Sequence, residues 1–287
     1  MKLNKHFPSW IILIGLVAGA VGCALISARS VQQYALADNE ISEASGLAAS
    51  RKLPGILYTH NDSGGEPIVY AINSKGMLAA RVRLAGIKNR DWEDIAVGPD
   101  PGSQKQCVFV GEIGDNDAAH KSVFVYRFEE PELSDTLLVI AAPDKIEIVY
   151  EDGPRDAEAL FVDPRSGDIC IVSKRETEVG LYRVRYPYSL TSPNTAVKEA
   201  TLPMSYVTAA DISPNGKYIL IKTYPGILRY KRGSSQSIAA ALAGKPKELP
   251  YQPEPQGEAV AWASDGKSYF TLSESAANKP SALFQYE

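Results

Sequence analysis

The stretch "RDWEDIAVGPDPGSQKQCVFVGEIGDNDAAHKSVFVYRF", Arg90 to Phe128, crowds acidic side chains around two short apolar runs. Acids at that density face water, a cation or a partner, because an unpaired buried carboxylate is costly. The choice among these turns on whether the pattern recurs. It does, in "SEASGLAAS" (Ser42–Ser50), "DWEDIAVGP" (Asp91–Pro99), "DAEALFVDP" (Asp156–Pro164), "TAADISPNG" (Thr208–Gly216) and "QGEAVAWASDG" (Gln256–Gly266). Leu47, Ile95, Leu160, Ile212 and Val260 then occupy one column. Two positions earlier stand Ser45, Glu93, Glu158, Ala210 and Glu258, and four earlier Glu43, Asp91, Asp156, Thr208 and Gln256.

A second apolar run follows each segment, as in "CVFVGEIGDND" and "ICIVSKRET", and then a third that usually carries an aromatic, as in "VFVYRFEEP" and "LYRVRYP". The runs are β-branched and aromatic, and Pro, Gly, Asn and Asp bound them, which is the signature of strands and turns. "SPNGK" (Ser213–Lys217) and "ASDGK" (Ala263–Lys267) read as hairpin turns, since Asn-Gly and Asp-Gly tolerate positive φ. Repeat starts lie about 48 to 65 residues apart, the period of propeller blades rather than of helical repeats. The predicted fold is therefore an all-β propeller of five four-stranded blades. A sixth, degenerate blade within Glu130 to Gly153 is the alternative count. "MLAARVRLAG", "DKIEIVYEDG" and "AVKEATLPM" supply fourth strands. The last repeat has none, so "SVQQYALADNEI" is expected to complete it and close the ring, leaving no open edge. "KRGSSQSIAAALAGKPKELP" (Lys231–Pro250) reads as a loop with a short helix.

Two regions follow: a segment 1–30 and one propeller domain, 31–287. With 45% hydrophobic and 22% charged residues the composition is ordinary for a globular chain. A formal charge of −4 offers no basic stripe for nucleic acid. The N-terminus carries Lys2 and Lys5 before an apolar stretch from Trp10 to Ile26, the pattern of a signal peptide or a membrane anchor. "AVGC" resembles a lipoprotein box in which Cys23 would be lipidated; "ALAD" (Ala35–Asp38) is a second candidate cleavage site. Lipid anchor, uncleaved helix and cleaved signal all imply an extracytoplasmic, periplasmic or cell-surface domain. The other cysteines, Cys107 and Cys170, lie in second strands of consecutive blades, either as a disulfide or as two buried thiols.

If the first run of each blade is innermost, residues before it and after the second run converge at one mouth. That set holds Glu43, Asp91, Glu93, Asp156, Glu158, Asp211 and Glu258 as candidate cation ligands, with Asp94 gathered beside them. Beside them fall His60, Asn61, Asp62, Glu112, Asp115, Asn116, Lys174, Arg175, Lys222 and Glu274 as candidate ligand contacts. Oxygen donors at this density favour calcium. Zinc and copper do not fit, because His6, His60 and His120 show no ligand spacing. The alternatives are a rim paired with Lys174, Arg175 and Lys222, or solvated acids. His60 reads as a rim hydrogen-bond donor or a catalytic base. Trp92 and Trp262 read as packing residues, with Trp92 also placed to stack a ligand.

The starts "EASGLA", "DWEDIA", "DAEALF" and "GEAVAW" resemble the acidic strand starts of phytase-like β-propellers and of SdiA-regulated-type extracytoplasmic propellers, over roughly Ser42 to Glu287. The resemblance implies that Glu43, Asp91, Glu93, Asp156, Glu158 and Glu258 line a calcium-containing face. Where that pattern has Gly after the Glu, Asp94, Ala159 and Ala259 stand here. Three function classes are thus expected: a membrane-tethered, monomeric binding module for a small molecule, glycan or envelope protein; a calcium-dependent phosphoesterase; and a structural scaffold.

Overall fold

The computed structural model describes residues 31–275 and 281–287. The expected anchor segment and Cys23 lie outside the described residues. The described residues are all-β, with one short helix. Strand β1 (Val31–Ala35) comes first, and antiparallel meanders follow. Unit one is β2 (Ala44–Ala49), β3 (Ile56–Asn61), β4 (Ile68–Asn73) and β5 (Leu78–Leu84). Unit two is β6 (Asp94–Asp100), β7 (Lys105–Glu112), β8 (Val123–Glu129) and, after the short β9 (Leu137–Ile140), β10 (Asp144–Tyr150). Unit three is β11 (Ala157–Val162), β12 (Ile169–Ser173), β13 (Val179–Val184) and β14 (Asn194–Leu202). Unit four is β15 (Val207–Ile212), β16 (Tyr218–Thr223), β17 (Gly226–Lys231) and, after α1 (Ile238–Leu242), β18 (Lys247–Leu249). Unit five is β19 (Gly257–Trp262), β20 (Tyr269–Ser273) and β21 (Ala282–Tyr286). Its fourth strand is β1, with Val31 opposite Tyr286 and Ala35 opposite Ala282.

Residues 130–153 form no unit of their own. β9 runs parallel to β5 at the edge of unit one, and β10 pairs with β8. β10 also runs parallel to β14 over Ile148–Tyr150, joining units two and three in an eight-stranded sheet. The end strands of that sheet, β6 and β11, lie against each other.

The first strands are neighbours in cyclic order: β2 by β6, β6 by β11, β11 by β15, β15 by β19, and β19 by β2. β2, β11, β15 and β19 are buried along their whole length. The outer β5, β10 and β14 instead mix buried and exposed positions, as strands with one wet face do. The apolar side chains fall into five clusters, each built from two neighbouring units, and unit five meets unit one around Leu47, Ile72 and Leu272. Trp92 and Trp262 belong to two of these clusters and are buried, so Trp92 stacks no ligand.

The register differs from the sequence alignment in unit four. β-Bulges fall between Ala157 and Ala159, between Val207 and Ala209, and between Gly257 and Ala259. Thr208, rather than Ala210, therefore stands with Glu158 and Glu258. A bulge re-aims the side chain it displaces, here Glu158, Thr208 and Glu258. Ser213 then aligns with Asp163 and Pro214 with Pro164, a match visible in "VDPRSG" and "ISPNG".

Side chains tie the inner strands to one another. Ser45 Oγ donates to the Glu93 carbonyl (2.6 Å), and Thr208 Oγ1 to that of Gly257 (3.3 Å). Asp94 Oδ2 accepts the amides of Leu160 (2.8 Å) and Ala210 (3.3 Å), from units three and four. Asp211 Oδ2 accepts the amide of Trp262 (2.7 Å). Gly46 allows unit one to close on this centre: it sits at φ +71°, and a Cβ there would lie 2.8 Å from Asp94 Cα. Cys107 and Cys170 are free, buried, and packed in different clusters, so the disulfide is not formed.

Candidate functional site

Five carboxylates meet at the end of the ring where the first strands begin. Asp62 follows β3, Asp91 and Glu93 precede β6, and Asp156 and Glu158 flank the start of β11. Asp62, Asp91 and Glu93 each bring an oxygen within 4.8 Å of the others, and so do Glu93, Asp156 and Glu158; Glu93 belongs to both trios. Gly114, in the loop after β7, leans directly over Asp91 and Glu93. A Cβ there would fall 2.2 Å from Glu93 Oε1 and 2.4 Å from Asp91 Oδ2, so a side chain would push the carboxylates apart.

The trios differ in what neutralises them. Lys174 pairs with Glu158, and Arg175 Nε holds Asp156 at 2.5 Å. Asp156 Oδ1 also accepts the Asp115 amide at 3.1 Å. The first trio has no such partner among the described residues. Arg90, whose charge opposes the rise of Asp91, pairs instead with Glu112 at 3.8 Å. One buried oxygen of Asp62 has no hydrogen-bond partner. Burial pushes the Glu93 carboxyl well above the usual range; Asp62 and Asp91 add to the rise and Lys174 opposes it. Burial, and then the charge of Asp91, raise Asp62 to about 6. Asp91 is raised by burial and by Asp156. Such a trio must hold protons or a cation. The donors are all carboxylate oxygens, which suits calcium and would leave room for further oxygen ligands.

Glu258 and Glu274 lie on the same end of the ring. Burial, followed by Glu258 and Asp62, lifts Glu274 to about 7. Glu43 is exposed, and its charge acts on Asp62 and Glu274 from the rim.

Other expected contacts are placed elsewhere. His60 is fully buried, edge-on to Trp92 at 5.5 Å, and burial lowers it to about 4. It is a neutral core residue and neither a rim donor nor a base, because charging it there would cost its hydration. Glu112 is buried against Arg90 and Tyr126, away from the trios. Asp115 accepts the amides of Ala119 (2.9 Å) and His120 (2.8 Å) and so orders the loop after β7. Asn116 bonds Arg175, and Asn61 binds the Glu40 carbonyl at 2.6 Å. Lys222 is sealed beneath the 250–256 segment, donating to the Gly257 carbonyl with its Nζ 4.7 Å from the Tyr251 ring centroid. Burial lowers it to about 8.

Asp211 and Asp94 are not cation ligands here. Asp211 accepts the amides of Ile212 (2.7 Å) and Trp262 (2.7 Å) and faces Arg51 at 4.0 Å. It stands three residues beyond the bulge, too deep to join the trios. Asp94 is committed to the amides of Ile95, Leu160 and Ala210.

Two residues important to the site escape the repeat columns. Gly114 has no side chain to mark it, and Tyr224, whose hydroxyl donates to Glu258 Oε1 at 3.1 Å, lies in a turn outside them. No protein-family model matches the chain, and no curated protein matches it.

Proposed function

We propose that the five units are the blades of a β-propeller and that its acidic end is a calcium-dependent binding face. One observation carries this reading: the Asp62, Asp91 and Glu93 trio gathers one buried and two half-buried carboxylates with no ion-paired lysine or arginine among the described residues, beside a second trio that has two. Asp62, Asp91 and Glu93 would hold the ion, and Glu93 would link it to the Asp156 and Glu158 side. A bound calcium would supply positive charge and open coordination positions for oxygens of a small molecule, a glycan or an envelope protein. The apolar segment Trp10–Ile26, with Cys23 as a candidate acylation site, would tether this face outside the cytoplasm.

A melting curve of the full chain in EDTA and across a calcium titration tests the site. A ligand that binds only the folded state stabilises it by about 2.7 kcal/mol at a hundredfold excess over Kd. The midpoint is expected to rise by several degrees, and the rise to vanish in Glu93→Gln. An unchanged midpoint in the parent chain would sink the metal reading. The phosphoesterase alternative needs cations free to clamp phosphate, whereas Lys174 and Arg175 are already paired. Calcium-dependent phosphate release from model esters would revive it.

A further inference from the structure

A cavity of about 580 Å³ opens beside the acidic face, between the 204–206 loop, the turn joining β16 to β17, and β18 with Tyr251 just beyond it. Tyr206, Tyr224 and Tyr251 contribute to its lining. Tyr206 is 54% exposed and Tyr224 41%, and their ring centroids stand 6.3 Å apart at 42°. Large aromatic rings are normally withdrawn from water for their area, so an adjoining exposed pair needs an explanation. Tyr206 also sits at φ +54°, a conformation that is unfavourable for a bulky residue. Its amide donates to the Lys174 carbonyl at 2.8 Å, which fixes the loop in that shape. Strain of this kind gathers where a side chain is held for a ligand.

The chemistry of the walls selects the ligand's charge. Glu248 is the one formally charged residue lining the cavity. The Tyr224 hydroxyl donates to Glu258, which leaves its ring richer in electrons. Lys174 Nζ lies 5.7 Å from the centroid of that ring, so the ring already presents its face to one cation. Aromatic faces beside a carboxylate attract organic ammonium groups.

We propose that this cavity binds an alkylammonium ligand, with its head group against the Tyr206 and Tyr224 rings and its charge toward Glu248. The cavity adjoins the acidic face through Tyr224 and Glu258, but none of Asp62, Asp91 and Glu93 lines it. Glu93→Gln, which removes the metal site, is expected to leave it working, so either reading can fail alone.

The test is a calorimetric titration of the full chain with choline, with lysine amide, and with 3,3-dimethylbutan-1-ol, the uncharged isostere of choline. Either ammonium is expected to bind at least about tenfold more tightly than the isostere, with affinity falling as salt is added. The tighter of the two identifies a quaternary or a primary head group. Tyr224→Leu and Tyr206→Leu should each weaken binding by about tenfold while the melting midpoint stays near that of the parent. Equal binding of the isostere, undiminished binding in the double variant, or no ammonium binding at millimolar concentration would each overturn the proposal.

Discussion

Asp94 and Asp211 lie buried within the ring, and Asp62, Asp91 and Glu93 at its mouth, the first two half-buried and Glu93 buried; their surroundings are opposite. Asp94 accepts three backbone amides and Asp211 two, with Arg51 nearby. The trio faces mainly its own like charges. Burial alone therefore does not mark a functional acid. The supply of donors does: where amides converge the carboxylate is a fastener, even though burial still raises Asp94 and Asp211, and where they are missing nothing offsets the like charges but a proton or a cation.

The largest effect is expected at the fasteners. Asp94→Ala would strand the amides of Ile95, Leu160 and Ala210, at about 1–3 kcal/mol for each buried group left unsatisfied. A fall of the melting midpoint by roughly 10 °C should follow, because about 1 kcal/mol moves a domain of this size by 2–4 °C. Asp94→Asn keeps an acceptor oxygen and should lose less than half as much. If the alanine variant melts like the parent, the contrast between the two sets breaks.

Next in size is the pH dependence in chelator. Asp62 is raised to about 6 and Glu274 to about 7, so the folded chain binds more protons than the unfolded chain between the ordinary carboxylate range and those values. Stability should accordingly fall as pH rises from about 4 to 7, and calcium should oppose the loss above pH 6. Asp62→Asn combined with Glu274→Gln should flatten the profile measured by thermal melts. A profile just as steep in the double variant would place the titrating groups elsewhere, with Glu254 (about 7) and Asp211 (about 6) the next to replace.

Smaller still is Arg175→Ala. Its side chain is 49% exposed, and an ion pair of that kind contributes at most about 1 kcal/mol. Urea unfolding should show a shift within that bound, since Asp156 keeps the Asp115 amide. Reductant is expected to change nothing, because Cys107 and Cys170 are free; a lower midpoint in dithiothreitol would contradict their separate packing.

The meanders, the closing role of Val31–Ala35 and the gathering of Asp91, Glu93, Asp156 and Glu158 were legible in the sequence, because β-branched and aromatic runs between turn residues and repeated acids both leave a mark there. The short helix within Lys231–Pro250 was legible too, and Ser237 caps it by accepting the Ala240 amide at 3.1 Å. The bulges were not. They insert a residue without changing composition, so Thr208 was hidden behind Ala210 and Asp211 was assigned to the mouth. His60 and Lys222 look like surface groups by type, and only three-dimensional packing reveals that the one is sealed behind Trp92 and the other under Tyr251. Nor does the sequence show which acids have cations beside them, since Lys174 and Arg175 adjoin one trio through strand pairing alone.

The pairing of β1 with β21 has a bearing on biosynthesis. The first of these strands leaves the ribosome about 250 residues before the second, at roughly 5–20 residues per second. For that interval unit five lacks its outer strand, and the apolar seam between units five and one has only one of its two walls. Vectorial synthesis can complete units two to four in turn, but the circle is joined only after Tyr286 has emerged. A nascent chain stalled before Ala282 should consequently remain sensitive to protease at both extremities while its middle is already resistant.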